Sequence, residues 1–266
     1  MAWWSAAVRE GSLANAGRLG ANRNNEENVE KIARAIVRNW YRAVFESARN
    51  SRRDFRDLLP EIDQVVGREQ YGRARATGRG LIVATAHLGP FEILAAALRQ
   101  YEPKIHAVIQ RERHAGLESL RAAQFRRLGI VEAAVEDGYD VWVSVKAALE
   151  RDEVVLIHAD HVLHGQRGAK VKFASGHITV PTTPIKLAMQ TRSPIVPMFA
   201  VRTSPTTSRV YFEPPLKIEA GPSEEGGVHP ACSLWRRSWK STRCSTRTSG
   251  GWSTRCGSRI KGESAA

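Results

Sequence analysis

The run His87-Leu-Gly-Pro-Phe-Glu92 sets an imidazole and a carboxylate with four residues between them, directly after the apolar stretch Leu81-Ile-Val-Ala-Thr-Ala86. A histidine at the C-terminal end of a buried strand faces the crevice where α/β folds hold their ligands. A glutamate at the start of the next helix can turn back and accept a hydrogen bond from the ring. That contact fixes the tautomer and stabilises the imidazolium formed when the histidine takes a proton. The free N–H groups of the helix N-terminus are then available to an anion. Such a pair makes a general base for a hydroxyl, a contribution of roughly 10²–10⁴ in rate. The alternative is a purely structural histidine, held as a cap or a satisfied core residue.

A second cluster follows at His158-Ala-Asp160-His161-Val-Leu-His164. Imidazoles three residues apart beside a carboxylate are zinc ligands in other proteins, so His158, Asp160 and His161 define an alternative, a metal-dependent hydrolase. The text is similar to the His-x-His-x-Asp-His motif of metallo-β-lactamase-fold hydrolases. The first histidine of that motif falls on Leu156, and no second ligand cluster follows at suitable spacing. Other signatures are absent from the sequence. It has no Gly-x-Ser-x-Gly elbow, no Gly-x4-Gly-Lys-Ser/Thr loop and no Gly-x-Gly-x-x-Gly.

These residues need a scaffold, and the hydrophobic pattern supplies one. Residues 24–49 place Val29, Ile32, Ala33, Ile36, Val37, Trp40 and Val44 at helical spacing, a face expected to pack on the core. The same basic, Trp-bearing helix would also suit a membrane surface. Strands are expected at Leu81–Ala86, Ile105–Ile109, Gly129–Val135, Val154–Ile157 and Pro194–Arg202, with Arg209–Phe212 and Leu216–Ile218 closing the sheet. Helices are expected at Phe91–Arg99, Gly116–Arg127, Val141–Glu150 and Thr182–Thr191. Alternating strands and helices predict a single α/β domain with a mixed, mostly parallel central sheet flanked by helices.

At 266 residues, 42% hydrophobic and 25% charged, the chain is ordinary globular material with room for a full core. It contains no apolar run of transmembrane length. The opening Met1–Val8 stretch is too short and wrongly flanked for a secretory signal, so a cytosolic or membrane-peripheral protein is expected. The net charge of +13 is unevenly spread: residues 229–266 hold eight Lys/Arg against Glu263 alone. All three cysteines and three of the seven tryptophans lie there too. Sequence organisation therefore divides into an extension over 1–24, a domain over 25–228 and an atypical basic tail. The tail reads either as a nucleic-acid arm, with Arg for phosphates and Trp for stacking, or as a frameshifted C-terminus. Its Arg, Ser, Trp, Cys, Gly and Thr are what off-frame translation of GC-rich DNA yields. An alternative frame across Leu234–Gly250 is compatible with an amphipathic helix ending in Tyr-Pro-Asp-Gln-Trp. The frameshift is the preferred reading, and no site is assigned to the tail.

Several blocks in order resemble the lysophospholipid acyltransferase superfamily, in particular the lipid A biosynthesis acyltransferases and their phosphatidylinositol mannoside relatives. His87-x4-Glu92 is similar to the superfamily's His-x4-Asp/Glu motif. Arg111 with the basic helix to Arg127-Leu-Gly129, then Asp160-His161, Gly165-Gln-Arg167-Gly168, Val171-Lys-Phe173 and Gly176, resemble the blocks that follow. Departures are His161 where the family usually has Gln, Pro90-Phe91 before the acid, and Pro184 where Gly is common. The resemblance spans about residues 25–220 and implies a glycerolphosphate-acyltransferase-like fold. It implies transfer of a fatty acyl group from an acyl carrier protein or acyl-coenzyme A thioester to a hydroxyl of a glycolipid or lysophospholipid. His87 would be the base and Glu92 its orienting partner, with Arg111, Asp160, Arg167 and Gly176 at the substrate. It further implies no metal or cofactor, no nucleic acid, a monomer, and peripheral attachment at the cytoplasmic face of a bacterial inner membrane.

Overall fold

The structure, a computed structural model, describes residues 5–18, 26–163, 166–173, 176–216 and 218. The tail from 229 onward, with both readings of it, lies outside the described residues. Nine strands and eight α-helices alternate along the described chain. Strands β1 (Ile62–Val66), β2 (Leu81–Thr85), β3 (Ile105–Ile109), β4 (Ile130–Ala134), β5 (Val154–His158), β8 (Ile195–Arg202) and β9 (Ser208–Phe212) form one sheet in the order β1-β9-β8-β2-β5-β3-β4. From β8 to β4 the five strands are parallel, whereas β9 runs antiparallel to β8 and carries β1 beside it. This is the mixed, mostly parallel sheet expected. The remaining strands, β6 (Gly168–Phe173) and β7 (Gly176–Pro181), make a separate antiparallel hairpin.

The central strands are apolar on both faces because helices cover both. Leu81 and Val83 point with Val154 and Leu156 into a core shared with α3 (Phe55–Leu58), α4 (Arg68–Arg75), α5 (Phe91–Arg99) and α6 (Ala115–Leu128). The alternate residues Ile82, Ala84, Val155 and Ile157 meet α7 (Tyr139–Glu150) and α8 (Thr183–Thr191) on the other face. Each of the five expected parallel-core strands exists within a residue or two of its expected bounds. The expected strand Leu216–Ile218 does not extend the sheet. Of its described residues, Leu216 donates its N–H to the Ile195 carbonyl at 2.8 Å.

The long helix α2 (Glu26–Asn50) departs from its expected role. Along its apolar face only Ala33 is fully buried, and Trp40 is 44% exposed instead of packed in the core. A shorter helix, α1 (Ala6–Arg18), and part of α6 contact it. Its C-terminal half is fastened to the sheet by polar contacts: the guanidinium of Arg202, at the end of β8, reaches Glu46 with Nε 3.2 Å from the carboxylate.

The turn between β2 and α5 depends on Gly89, whose φ of +77° lies in the left-handed region. A Cβ at this position would also collide with the carbonyl of Ala200 on β8. Gly89→Ala is therefore expected to cost about 1–3 kcal/mol, from the backbone strain and the overlap together. Urea unfolding measures it directly. An unchanged midpoint would mean that the turn relaxes without loss.

Candidate active site

Strands β2 and β5 lie side by side with Thr85 opposite His158 in register. The ladder runs one step further, since the Ala159 N–H donates to the Thr85 carbonyl at 2.7 Å. Two residues beyond that matched pair come His87 on one strand and Asp160 on the other, so parallel register alone brings them together. The Asp160 carboxylate lies 3.0 and 3.1 Å from His87 Nδ1 through its two oxygens and accepts the His87 backbone N–H at 3.0 Å. A carboxylate only accepts, so Nδ1 carries the proton and Nε2 holds the lone pair. His87 lines an open cleft, whereas the Asp160 side chain is behind it and nearly inaccessible. The ring is further held by His158, stacked on it at 4.1 Å and 21°. His161 approaches the same carboxylate from another side, its Nδ1 3.4 Å from Asp160 Oδ1.

Glu92 does not make the expected contact with His87. Its carboxylate is buried at 4% exposure and accepts from Ser47 on α2 and from Gln124 Nε2 on α6, the latter at 2.9 Å. The reason is geometric. A first-turn residue of α5 directs its side chain along that helix's flank, where α2 and α6 pack, and the carboxylate finds donors there. The non-local Asp160, 73 residues along the chain, takes the partner's place.

The other expected site residues are dispersed. Arg111 follows the end of β3, two strands from β2, and pairs with Asp137 at 2.7 Å on the exposed surface. Arg167 is exposed just before β6 and offers its carbonyl to Thr182. Gly176 opens β7, paired with Phe173 across the hairpin. None of these three lines the cleft. Its second wall comes instead from Asn39, Trp40, Ala43 and Ser47 of α2, which sequence reasoning left out of the site. Helical spacing put Trp40 on the apolar face of that helix, and this was the one available signal. The alternative zinc set is also rearranged. The described ligands that converge are His87, Asp160 and His161, while His158 stacks on the His87 ring.

Burial pushes the Asp160 carboxyl up, but the opposing charge of His87, the hydrogen bonds from His161 and His87, and the charge of His158 hold it well below the usual carboxylate range. A carboxylate depressed by folding contributes stability that is fully present above its unfolded pKa, roughly 4, and is lost as pH falls through the folded value. The stability gap between the wild-type chain and Asp160→Asn is therefore expected to be largest near neutral pH and to shrink below about pH 4. Thermal melts of both across that range test it. A gap that widens in acid would contradict an ionised Asp160.

A search of the curated proteins found no match. A family model described as bacterial lipid A biosynthesis acyltransferase matches residues 19–226, a span that contains both strands of the His87–Asp160 pair, the cleft wall of α2 and the buried Glu92. The chain belongs to the bacterial lipid A biosynthesis acyltransferase family, whose members transfer a fatty acyl group to a lipid acceptor.

Proposed function

We propose that His87 is the general base of this acyltransferase and that Asp160, rather than Glu92, is the carboxylate that orients it. The observation that carries this reading is the Asp160 contact to His87 Nδ1, which leaves the basic Nε2 on the opposite edge of a ring lining the cleft. Nε2 takes the proton of an acceptor hydroxyl, and the oxygen attacks the carbonyl carbon of an acyl thioester. Asp160 stabilises the imidazolium that results. Collapse of the tetrahedral intermediate expels the thiolate, which His87 then reprotonates, so no acyl-enzyme forms and the base is regenerated. Charge developing on the carbonyl oxygen needs preorganised donors. Gly89 and the first turn of α5 border the cleft and supply backbone N–H groups without intrahelical partners. The thioester donor is an acyl carrier protein or coenzyme A, and the acceptor a membrane glycolipid or lysophospholipid.

Glu92 is a positioning residue in this scheme. It ties α5 to α2 and α6, and so holds the cleft wall against the strand end that bears the base. The test is transfer of a labelled acyl group from each donor to a lysolipid and lipid A precursor extract. His87→Ala and Asp160→Asn should each lower turnover by about 10²–10⁴. Glu92→Gln keeps an acceptor oxygen for Ser47 and is expected to act chiefly on KM. Equal loss of turnover in Glu92→Gln and Asp160→Asn would return the orienting role to Glu92.

The route of the acceptor follows from α2. Among the described residues no helix is long and apolar enough to cross a membrane. Yet α2 exposes Trp40, Tyr41 and Phe45, the last at 72%, beside the same cleft that Asn39, Trp40, Ala43 and Ser47 line. Interfacial helices carry aromatics on one face and arginines on the flanks, as Arg34, Arg38 and Arg42 flank these. We therefore read α2 as the peripheral contact with the cytoplasmic face of the inner membrane, which would open the cleft toward the bilayer. Replacing Tyr41 and Phe45 by Ser should weaken co-sedimentation with phosphatidylglycerol-containing vesicles by about tenfold or more, since burying one such ring is worth about 1.5–3 kcal/mol. Undiminished binding would move the membrane contact elsewhere.

A further inference from the structure

Three imidazoles surround one buried carboxylate here, and a base needs only one of them. His87 and His158 are stacked, and His161 tilts at 4.8 Å from His87 on the other side. The Nδ1 atoms of His87 and His161 approach the same oxygen of Asp160, at 3.0 and 3.4 Å. All three potential ligand atoms of His87, Asp160 and His161 lie within 4.8 Å of one another. A tetrahedral Zn²⁺ with bonds of about 2.0–2.2 Å holds its ligand atoms roughly 3.3–3.5 Å apart. Two of the three separations are thus near that value already. The third closes by a small rotation of the His161 ring, which is partly exposed.

From this geometry we infer that His87, Asp160 and His161 form a binding site for a divalent transition metal of the Zn²⁺ class, and that the bound metal switches the base off. Two neutral imidazoles and a carboxylate are a donor set that Zn²⁺ favours, with solvent as the fourth ligand. The chemistry of inhibition follows from the tautomer. In the metal-free pair Asp160 holds the proton on Nδ1, so the Nε2 lone pair faces the cleft. Coordination needs the Nδ1 lone pair, so the single ring proton moves to Nε2, with no net loss or gain of protons. The nitrogen that should accept the hydroxyl proton is then already protonated. Asp160 is at the same time withdrawn from orienting the ring. The metal site stands on the ligand geometry, whereas its inhibitory effect rests on the acyltransferase reading above.

Cobalt(II), a spectroscopic substitute for zinc, separates the two. The full chain, stripped with chelator, is titrated with Co²⁺ and followed by visible absorption, and Zn²⁺ is then used to displace it. The wild type should develop the intense bands of a four-coordinate nitrogen and oxygen site, and His161→Gln should bind about tenfold more weakly or worse. Acyl transfer by the wild type should fall on adding Zn²⁺ and return with chelator. His161→Gln should transfer in chelator and resist Zn²⁺. Circular dichroism confirms that the variant is folded. Unchanged affinity in His161→Gln, or thiolate charge-transfer bands that assign the metal to cysteine, would overturn the site. Full transfer by a zinc-loaded wild type would overturn the switch. Absence of transfer from every form in chelator would sink the acyltransferase reading, while the cobalt titration still decides the metal site.

Discussion

A carboxylate taken out of water must find opposite charge or donors, because isolated burial of that ion costs several kcal/mol. Asp160 is such a group, and the arrangement around it is what the rest of the structure has to deliver. Its donors are the His87 N–H, the His87 ring and, more loosely, the His161 ring. The first two come from just beyond β2 and Asp160 itself from just beyond β5, so the pair holds only while those strands keep their register. That register is fixed in turn by side chains alternating into two separate cores, one under α3 to α6 and one under α7 and α8. A slip of one residue would invert both faces of a strand at once. The His87–Asp160 geometry and the hydrophobic pattern are therefore one constraint, read at the end of a strand and along its length.

Local pattern and non-local contact were not equally legible in the sequence. Buried five-residue strands such as Leu81–Thr85 and Val154–His158 announce themselves as continuous apolar runs, and α5 as amphipathic text after a proline. His87 was legible for the same reason, as a titratable residue at the end of such a run. The strand β1, Ile-Asp-Gln-Val-Val, was missed because it is an edge strand with mixed exposure, made a strand by pairing with the distant β9. The β6–β7 hairpin likewise lies outside the main sheet, and its residues suggested motif text but no element. Asp160 was singled out, yet as a substrate ligand. Nothing in a sequence states which of two carboxylates, one five residues away and one 73, will reach an imidazole. Proximity along the chain favoured Glu92, and strand register favoured Asp160.

Glu92 shows how a motif residue can serve to join helices. Its carboxylate sits where α2, α5 and α6 meet, with a donor from each neighbouring helix. Removing it would leave the Gln124 amide buried and unpaired, at a cost of about 1–3 kcal/mol. The larger consequence is mechanical. The cleft has one wall from the β2–α5 turn and another from α2, and polar contacts hold α2 in place beside it, among them Ser47–Glu92, Arg202–Glu46, Arg42 to the Pro205 carbonyl and Arg49–Glu61. The distance between His87 and the α2 wall of the cleft depends on these contacts.

That dependence also accounts for the incomplete burial of α2. A helix whose apolar face were wholly sunk in the core would need no polar fasteners, and it would leave nothing to meet a lipid surface. Here the face is shared: Ala33 goes to the protein, while Trp40, Tyr41 and Phe45 remain outside. The ion pair and hydrogen bonds of Glu46 and Ser47 compensate for the hydrophobic contact that the exposed residues do not make within the chain. An amphipathic pattern in a sequence says only that a face will be covered. What covers it, core or bilayer, is decided by the neighbours that tertiary structure supplies, and on α2 those neighbours stop short of the aromatic residues at the cleft.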